Sequence, residues 1–306
     1  MDFTIVTPSL RQLDWLECCI ASIADQGLWK SKKVRKNEDA DPVKGVTVEH
    51  IVQDAGTEGF KEFAKKMQER WPDREGYRRV MISEPDGGMY DAINKGLKRG
   101  AGRICAYLNC DEQYLPGALA KVKEEFARHS TNEILYGGFL VVNEKGELVT
   151  AQKPVRMFWP HVATSHLPNF TCATFFLRSM LERDQAWFDS SYRACGDAAW
   201  TVERLQAQIP IQVSRAFTSV FVEGESNQGI EPPGLREAAH LREGMPLWVK
   251  AGFPLWRVGH RLRKVFCGHY LGQRVEYGLY LPGACVERKN FLVKRAKTIW
   301  GKRLRL

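Results

Sequence analysis

Asn109 and Asp111, with Glu112 beside them, close the apolar run Ile104-Cys105-Ala106-Tyr107-Leu108, and a little upstream Asp86, Tyr90, Asp91, Asn94 and Lys95 crowd around the turn Gly87-Gly88. A strand ending in Asn-x-Asp-Glu offers hard oxygen donors on a short loop, the chemistry that Mn²⁺ or Mg²⁺ requires. One or two carboxylates suffice where a diphosphate supplies the remaining oxygens, so such a cation implies a phosphorylated ligand. Asp111 is the expected metal ligand. Taken alone, Asp111-Glu112 would serve equally as a solvated helix cap before Leu115-Pro116-Gly117-Ala118.

The elements that would position these groups alternate between apolar runs and helical periodicity, which predicts an α/β chain with a mostly parallel sheet flanked by helices. Strand Phe3–Thr7 ends in Thr7-Pro8-Ser9, and Asp14 caps a helix whose apolar positions Trp15, Leu16, Cys19, Ile20 and Ile23 recur at helical spacing. Strand Val46–Val52 stops at Gln53-Asp54-Ala55-Gly56-Thr57. Strand Arg79–Ile82 runs into the glycine turn, and a helix over Met89–Lys98 leads to the fourth strand, ending at Asn109. Leu28–Gly45, rich in Lys, Asn and Asp, reads as a surface insertion. In open α/β sheets ligands bind outside the carboxyl ends of the strands. Here those ends carry Thr7 and Ser9, Asp54, Asp86 and Asp111 in turn, so four strand ends point polar groups at one crevice. Asp54 suits an acceptor for the imide N–H of a uracil ring, and Asp-Ala-Gly-Thr is also ordinary turn chemistry.

The bulk properties fit a folded core. The chain has 306 residues, 44% hydrophobic and 11% aromatic, with no repeat or low-complexity tract. Eight cysteines without Cys-x-x-Cys or zinc-type His spacing read as reduced, mostly buried thiols. The chain opens on a strand without a leader-like segment, and no apolar run reaches eighteen residues, so a cytoplasmic protein is expected. Charge divides the chain. Residues 241–306 carry 15 Lys and Arg against 3 acids, net +12, while the preceding residues are net −3. Glu225–Gly234 reads as a linker, which gives an expected division into 1–225 and a basic, aromatic-rich 226–306.

Taken in order, Thr7-Pro8-Ser9, His50-Ile51-Val52-Gln53-Asp54-Ala55-Gly56-Thr57, Glu84-x-Asp86-Gly87-Gly88-x-Tyr90-Asp91-Ala92-x-Asn94-Lys95-Gly96 and Leu108-Asn109-Cys110-Asp111-Glu112 resemble the inverting nucleotide-sugar glycosyltransferases of family 2, with the GT-A fold. The resemblance covers roughly residues 1–205. It implies that Thr7, Pro8, Ser9 and Arg11 meet the nucleotide, Asp54 the base, and Asp86, Tyr90, Asp91, Asn94 and Lys95 the nucleotide-sugar. Asn109-Cys110-Asp111 stands where the metal-binding Asp-x-Asp motif stands. In Gly196-Asp197-Ala198-Ala199-Trp200-Thr201-Val202-Glu203-Arg204, Asp197 fits the position of the family's general base. The chain departs from the pattern at Arg11, where many relatives have Asn, at Glu112 for a second Asp, in the loop Ala55-Gly56-Thr57-Glu58, and at Thr171 for a His. His161 and His166, nearby, read as loop or packing residues.

The expected reaction is sugar transfer from a nucleoside diphosphate carrier, UDP above others, to a hydroxyl of a glycan or lipid-linked acceptor, as in polysaccharide and cell-envelope assembly. The tail interleaves Trp248, Trp256, Phe266 and Trp300 with cations, a pattern suited to an anionic membrane surface, so a mainly helical appendage, peripheral on the inner face of the membrane, is expected. No nucleic-acid module accompanies the charge, and none is expected as a partner. Two rivals stand beside this reading. A nucleotidyltransferase would need a glycine-rich basic loop after the first strand, where this chain has Thr7-Pro8-Ser9-Leu10-Arg11. A non-catalytic basic membrane or nucleic-acid binding protein would need neither Asp111 nor Asp197.

Overall fold

The computed structural model describes residues 1–28, 45–224 and 232–300. Strand β1 (Phe3–Ser9) leads into helix α1 (Leu13–Ala24), followed by β2 (Val48–Asp54), α2 (Phe60–Arg70), β3 (Tyr77–Ser83), α3 (Met89–Arg99) and β4 (Ile104–Tyr107). Every residue of β1, β2 and β4 is buried. These strands are covered on both faces, so β1 and β2 bury polar side chains such as Thr4, Glu49 and His50 alongside their apolar ones. They pair in parallel in the order β3-β2-β1-β4, with Ser9 level with Asp54 and Asp54 with Ser83, so their carboxyl ends share one edge.

Beyond β4 the sheet is mixed. It continues through β5 (Gln113–Tyr114), α4 (Ala118–Arg128), β6 (Ile134–Val142), β7 (Leu148–Gln152), α5 (Trp159–Thr164), β8 (Thr174–Leu177), α6 (Arg178–Arg183), α7 (Gly196–Gln206) and β9 (Ile211–Val222). β8 runs antiparallel to both β4 and β6, β9 runs parallel to β6, and β5 pairs antiparallel with β9, in a nine-stranded sheet with β7 as a branch on β6. The parallel alternation expected from the sequence thus ends at β4.

Local boundaries also differ from expectation. Leu13, not Asp14, opens α1; Asp14 lies in its first turn, where its charge suits the helix dipole, and makes no capping bond. β4 stops at Tyr107, and Leu108–Glu112 turn back on themselves, with the Glu112 N–H donating to the Asn109 carbonyl at 3.0 Å. The expected surface insertion lies outside the described residues but for its ends.

The basic region is a helical segment followed by a hairpin: α8 (Pro232–Glu243), α9 (Leu247–Ala251), α10 (Phe253–Phe266), then antiparallel β10 (Val275–Leu279) and β11 (Lys289–Val293). Pro232-Pro233-Gly234, expected in the linker, instead form the first turn of α8, where proline's missing N–H costs nothing; residues 225–231 of that linker lie outside the described residues. The hairpin shares a core with the nine-stranded sheet: Val275, Tyr277 and Leu279 pack with Leu140, Val142 and Val220. Arg288 enters α1's C-terminal turn, pairing with Asp25 at 2.5 Å and donating to the Tyr114, Gly278 and Ser22 carbonyls. All eight cysteines are free thiols, and the Cys18 and Cys285 sulfurs lie 2.7 Å apart.

Candidate active site

The carboxyl ends of the strands open into a cavity of about 1530 Å³, whose wall includes Pro8, Ser9, Asp86, Tyr90, Asn109, Asp111, Glu112, Arg193 and Asp197. Six of the twelve expected donor and metal residues therefore share one concavity with Asp197, the expected base. The turn that follows β4 delivers three of these groups. Glu112 is buried, accepts the Asn109 N–H at 2.9 Å and lies beside Asp111. Burial, then the Asp111 charge, pushes the Glu112 carboxyl up to about 8; burial also raises the Asp111 carboxyl. Neither acid has an ion-pair partner among the described residues. Asn109 Oδ1 is buried with no hydrogen bond among the described residues. Uncompensated carboxylates beside an unsatisfied oxygen form a hard donor set, so the residues present fit a divalent cation.

Asp197 reaches the cavity from the first turn of α7. Its Oδ1 accepts the Ala198 N–H at 2.8 Å and lies 3.3 Å from the Tyr90 hydroxyl, which itself accepts the Asp197 N–H at 3.1 Å and has the Ala194 carbonyl at 3.2 Å. Both side-chain contacts fall on Oδ1. Burial pushes the Asp197 carboxyl up to about 6, and the Ala198 N–H and Tyr90 bonds hold it below where burial alone would set it. Gly196 is required here: a Cβ would sit 2.7 Å from the Tyr90 ring. Gly88 is required too, at φ +119° and facing the Arg193 guanidinium.

Other expected residues hold the walls. Thr7 is fully buried; its Oγ1 lies 2.9 Å from His50 Nε2, behind the cavity. Asp54 is also buried, accepting the Gly56 and Thr57 N–H groups and the Thr57 and Ser83 hydroxyls, which leaves Ala55 to face the cavity. Asn94 clamps Phe188 through its backbone, giving and receiving one bond. Asp91 accepts the Gly87 N–H at 2.8 Å and pairs with Lys95, which also donates to the Pro85 carbonyl, so this pair shapes the glycine turn. Arg11, with left-handed φ of 58°, gives its backbone N–H to Thr57 Oγ1 and lines a separate, smaller pocket.

Two contributors were not foreseen. Arg193 crosses to the Gly87 carbonyl, fixing the glycine turn to the approach to α7. Glu237 on α8 accepts the N–H groups of Arg193 at 2.6 Å and of Ala194 and Cys195 at 2.9 Å, holding the segment that presents Asp197. Arg193 lies close enough to Asp197 in sequence to have drawn notice; Glu237 sits in a helix with no motif.

This architecture is shared with solved structures. S. aureus TarS is 14% identical, with TM-score 0.55 over 86% of this chain, which spans 43% of the TarS chain. TarS 1–349 in complex with UDP-GlcNAc is 13% identical, with TM-score 0.57, covering 86% of this chain and 75% of that one. The mannosyltransferase PcManGT from Pyrobaculum calidifontis, in complex with GDP-Man and Mn²⁺, is 14% identical, with TM-score 0.50, covering 85% and 75%. At such identities the likeness is one of fold. No curated protein matches the chain. Residues 4–183 match the family Glycosyl transferase family 2, more than half of the chain, and with the GT-A sheet and acidic cavity in place the chain belongs to that family of glycosyltransferases.

Proposed function

We propose that this glycosyltransferase moves a sugar from a nucleoside diphosphate carrier, UDP above others, to an acceptor hydroxyl with inversion at the anomeric carbon. The observation that carries this reading is that Asp111, Glu112 and Asp197 line one cavity, with Asp197 oriented by Tyr90. Asp197 takes the acceptor's proton while the hydroxyl oxygen bonds to the anomeric carbon; the bond from that carbon to the diphosphate breaks, and the electron pair leaves with the nucleotide. A single displacement needs no protein nucleophile. Oδ2 of Asp197 is the oxygen available to the acceptor, since Oδ1 is engaged by Ala198 and Tyr90. Ser9 Oγ, without a hydrogen bond among the described residues, and Pro8 border the donor side. Asp111, with Asn109 Oδ1 and Glu112 beside it, would hold Mn²⁺ or Mg²⁺, whose positive charge offsets that of a leaving diphosphate.

The acceptor reading is a glycan or lipid-linked hydroxyl at an anionic membrane. α10 supports it, because Leu255, Val258, Leu262, Val265 and Phe266 are exposed along one helical face with the exposed cations Arg257 and Arg261 beside them. Among the described residues no helix is long and apolar enough to cross a membrane, so the contact would be peripheral, on the cytoplasmic face.

The deciding experiment is release of nucleoside diphosphate from a panel of UDP- and GDP-sugars, with and without Mn²⁺, by wild type and Asp197→Asn. Metal-dependent release that vanishes in the variant supports the reading. Equal release by both proteins would overturn Asp197 as the base.

A further inference from the structure

Apart from the acidic cavity, the chain gathers three imidazoles from two distant parts of the sequence. His161 lies on α5, His166 in the loop after it, and His260 on α10. One ring nitrogen from each lies within 4.8 Å of those of the other two. The ring centroids of His161 and His260 are 4.2 Å apart and stacked, while His166 meets each edge-on, at 4.7 and 5.3 Å. His161 and His260 are buried, at 1% and 4% exposure, and His166 borders the large cavity. The Trp159–Trp248 and Phe158–Trp256 contacts pack α5 against α9 and α10 on either side.

We propose that His161, His166 and His260 form a three-histidine site for a divalent cation of borderline softness, with Zn²⁺ the natural occupant. Imidazole nitrogens suit Zn²⁺, whereas Mg²⁺ and Mn²⁺ favour the oxygens around Asp111, so the two sites differ in kind. Ser165 Oγ, 3.1 Å from His166 Nδ1, orients that ring and leaves Nε2 as its ligand atom. A tetrahedral ion at the usual ~2.0–2.1 Å from nitrogen sets its ligands roughly 3.3 Å apart, so the rings would close by up to about 1.5 Å and the stacked pair would splay. Three histidines leave the fourth position to water or a solute oxygen, and His166 opens it toward the cavity. Filling the site would fasten α10 to α5 and so fix the exposed apolar face of α10 relative to the catalytic sheet.

The test is zinc binding by the untagged full-length chain, measured by calorimetry and by competition with a chromogenic chelator, alongside Mn²⁺. The expected result is one Zn²⁺ retained at micromolar concentration by wild type and by Asp111→Asn, and lost in His260→Ala and His161→Ala. A zinc stoichiometry in His260→Ala equal to that of wild type would overturn the site, as would absence of binding by wild type. Should the histidine variants fail to fold, Co²⁺ substitution in wild type decides: intense visible ligand-field bands of tetrahedral cobalt support the site, and their absence rejects it.

Discussion

Tyr90 Oη and Asp197 Oδ1 stand 3.3 Å apart across 107 residues of sequence, and the same hydroxyl accepts the Asp197 backbone N–H. One phenol on α3 therefore fixes both the main chain and the carboxylate of the proposed base. Tyr90→Phe leaves that N–H without its partner, a loss of about 1–3 kcal/mol for a buried group. The expected result is a lower melting temperature and a roughly tenfold fall in kcat with little change in KM. Because Tyr90 favours the ionised carboxylate, its removal raises the Asp197 carboxyl further and moves the acid limb of the rate profile to higher pH. Steady-state kinetics from pH 5 to 8 check both effects.

Asp197→Asn should keep donor binding and lose about 10²–10⁴ in turnover. Its stability should move the other way. With the carboxyl pushed up to about 6 in the folded chain and near about 4 when unfolded, the folded state holds this proton between those values and the unfolded state does not. The carboxyl's contribution to stability therefore falls as pH rises through that window and is constant above it. At pH 7.5 the Asn variant should melt no lower than wild type, and calorimetry across pH 4–8 reads the difference.

For Asp111→Asn the expectation is an intact fold and loss of most Mn²⁺-dependent UDP affinity, read by thermal shift with UDP in the presence and absence of metal. Unchanged Mn²⁺-dependent affinity would remove Asp111 from the metal site.

Glu237 holds three consecutive backbone N–H groups just before α7. Glu237→Ala strips charge-assisted bonds of about 1.5–3 kcal/mol each from this segment. It should lower kcat more than donor affinity, because it loosens the presentation of Asp197 without touching the strand ends. Glu237→Gln should recover part of the loss, and comparison of the two kcat values checks it.

Vesicle sedimentation tests the α10 surface. Each cation near an anionic surface contributes about 1 kcal/mol, screened within a Debye length of roughly 10 Å at 0.1 M salt. Binding to anionic vesicles should be strong at low salt and weaken as salt rises. Val258→Asp with Leu262→Asp should abolish it while UDP binding persists; retained sedimentation would assign binding to another face.

Asp111 and Glu112 were legible because they follow an apolar run, and a strand's end is a fixed place, whereas Glu144 and Glu243 of the same wall carry no such signal. Asp111 was read from that position, whereas Asp197 was reached through the family resemblance. Thr7 and Asp54 sit at strand ends as expected, and β1 and β2 are buried on both faces, so strand position alone does not say whether a side chain meets ligand or a neighbouring turn. Asn94, expected through the resemblance to meet the nucleotide-sugar, holds the Phe188 backbone in the structure. The His161–His166–His260 cluster and Glu237 depend on how α8 and α10 dock against the sheet, and local periodicity does not encode docking.

The hairpin has a consequence for how the chain is made. Leu140, Val142 and Val220 belong to strands that leave the ribosome early, but the side chains covering them, Val275, Tyr277 and Leu279, and the Arg288 that neutralises Asp25, are translated long afterwards. During that interval a nascent chain displays an apolar sheet face and the Asp25 carboxylate without its Arg288 partner. Cover for that face of the nine-stranded sheet therefore arrives only once the β10-β11 hairpin has been made, and the stretch of synthesis between β9 and β10 is when a chaperone has a surface to hold.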